Sequence, residues 1–355
     1  MKLVVLGLSL SSSWGNGHAT TFRALLQAFA SRGHDVIFLE RDVPWYAGQR
    51  DLADPGWCRL AFYRDLAALE RWAPEVAAAD AVVVGSYVPD GVAAGQWVQR
   101  TARGTTAFYD IDTPVTLAKL ERGDCDYLSP ELIPGYDVYL SFTGGPTLDR
   151  LERHYRSPAA RALYCSVDPR AYRSTGAAKR WDLSYLGTYS DDRQPPLTRL
   201  LIDAARAAPA KRFVVAGPQY PAGIDWPANV QRIEHLPPAE HAAFYSASRW
   251  TLNVTRADMI ARGWSPSVRL FEAAACATPI VSDWWEGLDQ LFAPDREIVL
   301  AATAAGVLAA LDRADATAIG EAGRARVLAA HTADHRAAEL ERYLGEAAAV
   351  RAEAA

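Results

Sequence analysis

Short apolar runs alternate with stretches of helical period almost from end to end of the chain, which is the arrangement that parallel sheets with crossover helices require. LVVLGL (Leu3 to Leu8) is the first run, and a loop of small residues separates it from a helical pattern at Thr21 to Ser31. A second run follows at His34 to Leu39 (HDVIFL), completing a strand, loop, helix, strand unit. AVVVG at 81–85, TAFY at 106–109 and VYLSF at 138–142 predict further strands. After Cys165 the pattern breaks, because SVDPRAYRSTGAAKRW is polar, holds Pro and Gly, and clusters its basic residues as a linker does. A second series runs from 183–186 through RFVVA (212–216), 230–233 and WTLNV (250–254) to the strand after Pro279. From Thr303 the chain is Ala-rich, with Glu and Arg on a polar face, and reads as helix.

Composition agrees with two domains. At 355 residues, half of them hydrophobic, the chain exceeds one ordinary core. A net charge of −5, a pI near 5.8 and the lack of a basic stripe argue against nucleic acid as the main partner. Cys58, Cys125, Cys165 and Cys276 show no metal-ligand spacing and no Cys-x-x-Cys pair, so neither disulfides nor zinc are expected and a cytoplasmic setting fits. The apolar start is too short to span a bilayer and lacks an Ala-x-Ala site, so no transmembrane or targeting segment is expected. Several of the eleven tryptophans (Trp45, Trp57, Trp264, Trp284, Trp285) fall in loop-like stretches, where rings line clefts as well as cores.

The stretch Ser265 to Asp283, SPSVRLFEAAACATPIVSD, carries the most chemistry. Ser265-Pro266 reads as an N-cap and first helical residue, leaving backbone N–H groups near Ser267 and Val268 open to an anion. Arg269 and Glu272 fall three residues apart on one helix face, so a guanidinium for phosphate and a carboxylate for sugar hydroxyls can serve one ligand. An amphipathic helix with a surface ion pair is the plainer alternative. Thr278-Pro279 ends the helix, and Ile280-Val281 restarts as a buried strand.

These residues resemble the nucleotide-sugar site of GT-B glycosyltransferases, and specifically of the CgeB-like (spore-maturation-protein type) branch. The resemblance implies a GT-B fold, two Rossmann-like domains facing each other across a cleft. It implies that Glu272 binds the donor ribose and that the helix start binds its diphosphate. One residue departs from the family pattern: Ala277 stands where the turn usually has Gly, and a left-handed Ala costs about 1 kcal/mol, so a differently wound helix end is expected. The domains expected are 1–168 on the acceptor side, a linker at 169–181, a donor domain at 182–330, and a C-terminal helix at 331–355 that crosses back onto the first domain.

Four other places hold candidate chemistry. SSSWGNGHATTF (Ser11 to Phe22) matches neither G-x-G-x-x-G nor a P-loop, which weakens NAD and ATP readings. It resembles the first loop of several GT-B enzymes, which places Gly15 and Gly17 near donor phosphates and His18 in the cleft. His18 is then either a general base for an acceptor hydroxyl or merely a residue of the helix start. In YDIDTP (Tyr109 to Pro114), Asp110 and Asp112 follow a predicted strand, where they would bind acceptor hydroxyls, act as base, or hold a metal; the resemblance to GT-B enzymes disfavours the metal. Asp110 is the stronger functional candidate, the alternative being that Asp112 caps a helix while Asp110 bonds a turn. Gly187, with Arg193 beyond it, resembles a diphosphate-facing loop, Arg193 being either a leaving-group partner or an idle exposed side chain. Gly217-Pro218 matches a strand-end turn near the nucleotide, and Arg256 and Arg262 add possible phosphate contacts. His331 and His335 have i,i+4 spacing but no adjoining glutamate, and read as surface residues.

The expectation is a glycosyltransferase that needs no cofactor, using a nucleotide-diphosphate sugar as co-substrate and an unidentified acceptor. A nucleotide-sugar epimerase of the same fold and an idle nucleotide-sugar-binding module are the rivals.

Overall fold

A computed structural model describes residues 1–14 and 17–354. The chain divides into two compact units, Met1–Cys165 with Ala333–Ala355, and Ser166–Thr332. Among the described residues, the first unit holds seven strands: β1 (Lys2–Gly7), β2 (Asp35–Arg41), β3 (Arg59–Tyr63), β4 (Ala81–Gly85), β5 (Thr105–Asp110), β6 (Val138–Ser141) and β7 (Ala160–Ala162). They pair in parallel in the order β3-β2-β1-β4-β5-β6-β7. The second unit holds β8 (Trp181–Leu186), β9 (Phe213–Ala216), β10 (Val230–Ile233), β11 (Ser248–Asn253), β12 (Ile280–Ser282) and β13 (Val299–Leu300), also parallel, in the order β10-β9-β8-β11-β12-β13. β3, β7 and β13 were not expected; each is an edge strand, and β7 and β13 are only three and two residues long.

Continuous apolar runs are what a sheet covered by helices on both faces requires. Val4, Leu6, Val82, Val84 and Phe108 form the heart of one core, and Leu183, Tyr185, Val215, Leu252 and Val281 of the other. The helix Ala333–Ala354 belongs to the first unit, where it buries Ala337, Leu340 and Leu344 and donates from Tyr343 Oη to the carbonyl of Ala162 at 3.2 Å. The stretch 169–181, expected as a linker, is instead part of the second unit. Tyr172 is buried, and Lys179 Nζ donates to the carbonyls of Ser246 (2.9 Å) and Ser248 (2.8 Å), so its polar residues are anchored rather than solvated.

In each sheet the strand order reverses once, between β1 and β4 and between β8 and β11. Loops leaving the carboxyl ends of those strands diverge to opposite faces and open a crevice, the usual ligand position in doubly wound folds.

The helix Val268–Ala275 corrects two expectations. Its N-cap is Ser267, not Ser265, with φ −82° and ψ 148°; Pro266 therefore precedes the cap and Ser265 is buried. At its far end Ala277 does enter the left-handed region, with φ 56°. Thr278 N donates to Ala273 O (3.1 Å) and Ala277 N to Ala274 O (2.8 Å), the paired bonds of a Schellman end, which hold the backbone where a glycine would normally sit. Gly320 packs on this turn so closely that a Cβ there would lie within 2.4 Å, as placed, of the Ala277 carbonyl oxygen. Ala277→Gly should therefore stabilise the protein by about 0.5–1 kcal/mol, the relief of strain exceeding the added freedom of the unfolded chain. Gly320→Ala should destabilise it, and denaturant unfolding of the two variants measures both effects.

Candidate functional site

In the second unit the site is built around Arg269. Its helix follows β11 in sequence, and its buried side chain crosses the β8/β11 crevice. Nε donates to the carbonyl of Leu186, at the end of β8, at 2.5 Å; Nη1 donates to Asn253 Oδ1, at the end of β11, at 2.9 Å. Ser267 Oγ donates to the same Asn253 oxygen at 2.8 Å, so the cap side chain points at the strand end and makes no bond to its own helix start. The guanidinium lies over the Tyr185 ring, 4.8 Å from the centroid. Arg193 is held alongside by Ser190 Oγ (2.8 Å) and the Thr188 carbonyl (2.7 Å). Burial lowers its pKa, and the neighbouring charges of Arg269 and Arg256 push in the same direction. Among the described residues neither Arg193 nor Arg269 hydrogen-bonds a carboxylate, although Asp192 acts on Arg193 and Asp283 on Arg269 through space, whereas Arg256 meets Asp192 at 3.6 Å.

Gly187 and Gly217 make this approach possible. Gly187 N donates to Ala216 O (2.9 Å), and Gly217, with φ 140°, sits so that a Cβ would fall 2.0 Å from the Gly187 carbonyl oxygen. Both glycines thus serve close packing of the β8 and β9 ends, at the rim of the crevice.

Glu272 is also buried, but it turns away from Arg269. Its Oε2 accepts from Tyr245 Oη at 3.3 Å and lies 3.9 Å from His241 Nδ1, a nitrogen that is itself 3.2 Å from Tyr172 Oη. The surface ion pair is thereby excluded, since both side chains are inside and neither partners the other. Beyond β11, β12 and β13 lies a cavity of about 560 Å³ lined by Asp192, Thr255, Ala257, Asp283, Trp284 and Leu300. Asp283 holds its rim by accepting from Thr255 N (2.8 Å) and Thr255 Oγ1 (2.7 Å). Of the loop tryptophans, Trp45 and Trp284 are exposed and Trp285 is buried.

In the first unit the structure gathers His18, Tyr87 and Asp112, and leaves Asp110 out. The first helix begins at His18, with Gly17 as its cap, three residues earlier than the apolar pattern indicated. Gly15 lies outside the described residues. His18 meets Tyr87 edge to face at 5.2 Å between centroids, and Tyr87 Oη donates to Asp112 Oδ2 at 3.2 Å. Asp112 occupies the N-cap position of the helix Thr113–Arg122 but makes no side-chain cap bond. Tyr87, in the loop after β4, has φ 62°, a conformation that costs a bulky residue energy and that functional sites often retain. Nothing in the sequence marked it. The loop after β1 is fixed by Glu40, a fully buried carboxylate that accepts from Leu10 N (2.6 Å), Ser11 N (2.8 Å) and Ser11 Oγ (2.6 Å).

Asp110 is a correction. It is fully buried, its Oδ2 accepting from Tyr139 Oη (2.5 Å) and its Oδ1 from Thr116 Oγ1 (2.8 Å) and Asp112 N (3.2 Å). Burial raises its pKa to about 6, and an acceptor hydroxyl has no access to it. β5 ends at Asp110, so the alternation that would have put Asp112 on the same face does not continue, and Asp112 already belongs to the helix start. His331, expected at the surface, is buried with its ring stacked on Phe271 at 4.8 Å.

Residues 193–342 match a family model described as glycosyl transferase-like. Sucrose-phosphate synthase of Thermosynechococcus elongatus aligns with a TM-score of 0.70 at 15% identity, over 98% of this chain and 99% of that one. HepE of Anabaena, solved with UDP and glucose, gives 0.72 at 12% identity over 98% and 100%. A trehalose-6-phosphate protein of E. coli, solved with UDP-2-fluoro glucose, gives 0.65 at 12% identity over 97% and 99%. No curated protein matches the chain in sequence. The fold is that of the GT-B glycosyltransferases, an α/β architecture of two parallel-sheet domains. Among the described residues no helix is long and apolar enough to cross a membrane.

Burial of His18 lowers its pKa to about 4, so the imidazole is neutral at pH 7. An unfolded histidine takes up its proton near pH 6.5 and the folded one only near 4, so this residue removes stability as pH falls through that window. Asp110 acts oppositely: its raised pKa adds stability at low pH that is lost as pH rises from about 4 through 6. His18→Gln should remove the first contribution and leave the second, so the variant gains stability relative to the parent as pH falls from 6.5 to 4. Urea unfolding across that range would show a constant difference if His18 is not shielded in this way.

Proposed function

We propose that the protein is a glycosyltransferase that binds a nucleotide-diphosphate sugar in its second unit and passes the sugar to an acceptor hydroxyl bound by its first. The observation that carries this reading is the pair of guanidiniums, Arg193 and Arg269, held at a strand-end crevice by neutral oxygens alone. In the transfer the bond from the anomeric carbon to the diphosphate oxygen breaks and one to the acceptor oxygen forms. Negative charge grows on the diphosphate as the bond stretches, so the two arginines and the N–H groups at Ser267 and Val268 favour the transition state over the ground state. Gly187 and Gly217 keep the rim open to the phosphates. Glu272 accepts the ribose hydroxyls in place of the tyrosine hydroxyl that now contacts it. Gly17, at the end of the first loop, faces the donor phosphates, His18 takes the proton the acceptor releases, and Asp112 binds its hydroxyl.

The CgeB-like subtype is supported by the run Ser265 to Asp283. With arginines and a helix start supplying positive charge, the reaction needs no metal.

The test is incubation with UDP-, GDP-, ADP- and dTDP-sugars while nucleotide release and sugar isomerisation are followed separately. Release in the presence of an acceptor extract, undiminished by EDTA, is expected. Isomerised sugar without release would mean an epimerase, and binding without turnover an idle module. Loss of activity in EDTA with recovery on adding Mg²⁺ would contradict metal independence. Glu272→Ala should weaken nucleotide-sugar affinity roughly tenfold or more by removing a charged acceptor, as read by calorimetry; unchanged affinity would remove the ribose role.

A further inference from the structure

Tyr185 is completely buried near the end of β8, and its hydroxyl has no hydrogen-bond partner among the described residues. A buried hydroxyl left without a partner is disfavoured, and such groups mark places where a ligand completes the bonding. This one faces Gly187: a Cβ there would stand 2.7 Å from Tyr185 Oη and 2.8 Å from Arg269 Nη2. The missing side chain leaves a small space that an O–H donor and an N–H donor border together. Arg269 keeps Nη2 directed there because Nε and Nη1 are already committed to Leu186 and Asn253, and the ring of Tyr185 supports the guanidinium from beneath. Two converging donors, one of them cationic and hydrogen-bonded to no carboxylate, suit an anionic oxygen.

We infer that Tyr185 is a ligand-binding residue whose hydroxyl, together with Arg269, holds one oxygen of a diphosphate in the space above Gly187. This assignment rests on the nucleotide-sugar reading for its ligand, and it accounts for Gly187 by the oxygen it admits as well as by packing. The charge of Arg193, close enough to act on Tyr185 and Arg269, adds to the attraction for the diphosphate.

The test is Tyr185→Phe, which removes only the unpartnered oxygen. The free variant should unfold at the same temperature as the parent or slightly higher, because no bond in the unliganded protein is lost. Titration calorimetry with pyrophosphate, UDP, GDP, ADP and dTDP should show affinity reduced at least about tenfold, as expected for a hydrogen bond to a charged group. Affinity for any nucleoside that the parent binds should not change. If the parent binds a nucleoside diphosphate and the variant binds it equally well, Tyr185 has no such role, while the donor reading stands. If the parent binds pyrophosphate but none of the nucleotides, and the variant loses it, the anion space is real and the donor reading falls. A parent that binds neither pyrophosphate nor any nucleotide overturns both.

Discussion

A guanidinium cannot shed its proton under ordinary conditions, so an arginine whose hydrogen bonds all go to neutral oxygens keeps a charge that an arriving anion can meet. Arg269 is in that position. It reaches from its helix across the crevice to the Leu186 carbonyl and the Asn253 amide, tying the ends of β8 and β11 together where the sheet order reverses. Much of the surrounding design follows. Gly187 and Gly217 are small because the strand ends and the guanidinium crowd them, Ser267 bonds the same Asn253 oxygen, and Tyr185 lies flat beneath the charge. Arg193 adds like charge nearby, which is unfavourable for the empty protein and favourable for one holding a diphosphate.

The first unit is organised at its own reversal point, between β1 and β4, and with different chemistry. There an imidazole kept unprotonated by burial meets a strained tyrosine whose hydroxyl a carboxylate accepts, with the Lys119 ammonium over the tyrosine ring. Glu40 fixes the preceding loop by collecting its N–H and O–H donors, so the loop that leads to His18 is positioned by a charge that is itself satisfied. The strain at Tyr87 is stability given up for geometry, as expected where a site rather than a core sets the backbone.

The long-period features were legible in the sequence and the local ones were less so. Continuous Val, Ile and Leu runs identified the central strands of both sheets, because burial on both faces leaves few alternatives, whereas β3, β7 and β13 lacked that pressure. The helix Val268–Ala275 was visible in SPSVRLFE, yet its cap shifted by two residues, since Ser267 rather than Ser265 is the N-cap. The sequence favoured Asp110 over Asp112, but the fold turns the first to Tyr139 and Thr116 inside and lets the second reach Tyr87. Ala277 adopted the strained conformation a glycine would have taken freely, because the Schellman bonds and the packing of Gly320 impose it. Tyr185 and Tyr87 carry no motif at all, and their placement depends on contacts between segments far apart in the chain.

The most direct measurement of the central claim is a crystal structure with a nucleoside diphosphate bound. The phosphate oxygens should lie within about 3 Å of the Arg269 and Arg193 guanidiniums, one of them above Gly187. A diphosphate bound elsewhere, with both guanidiniums still resting on their neutral oxygens alone, would contradict the account.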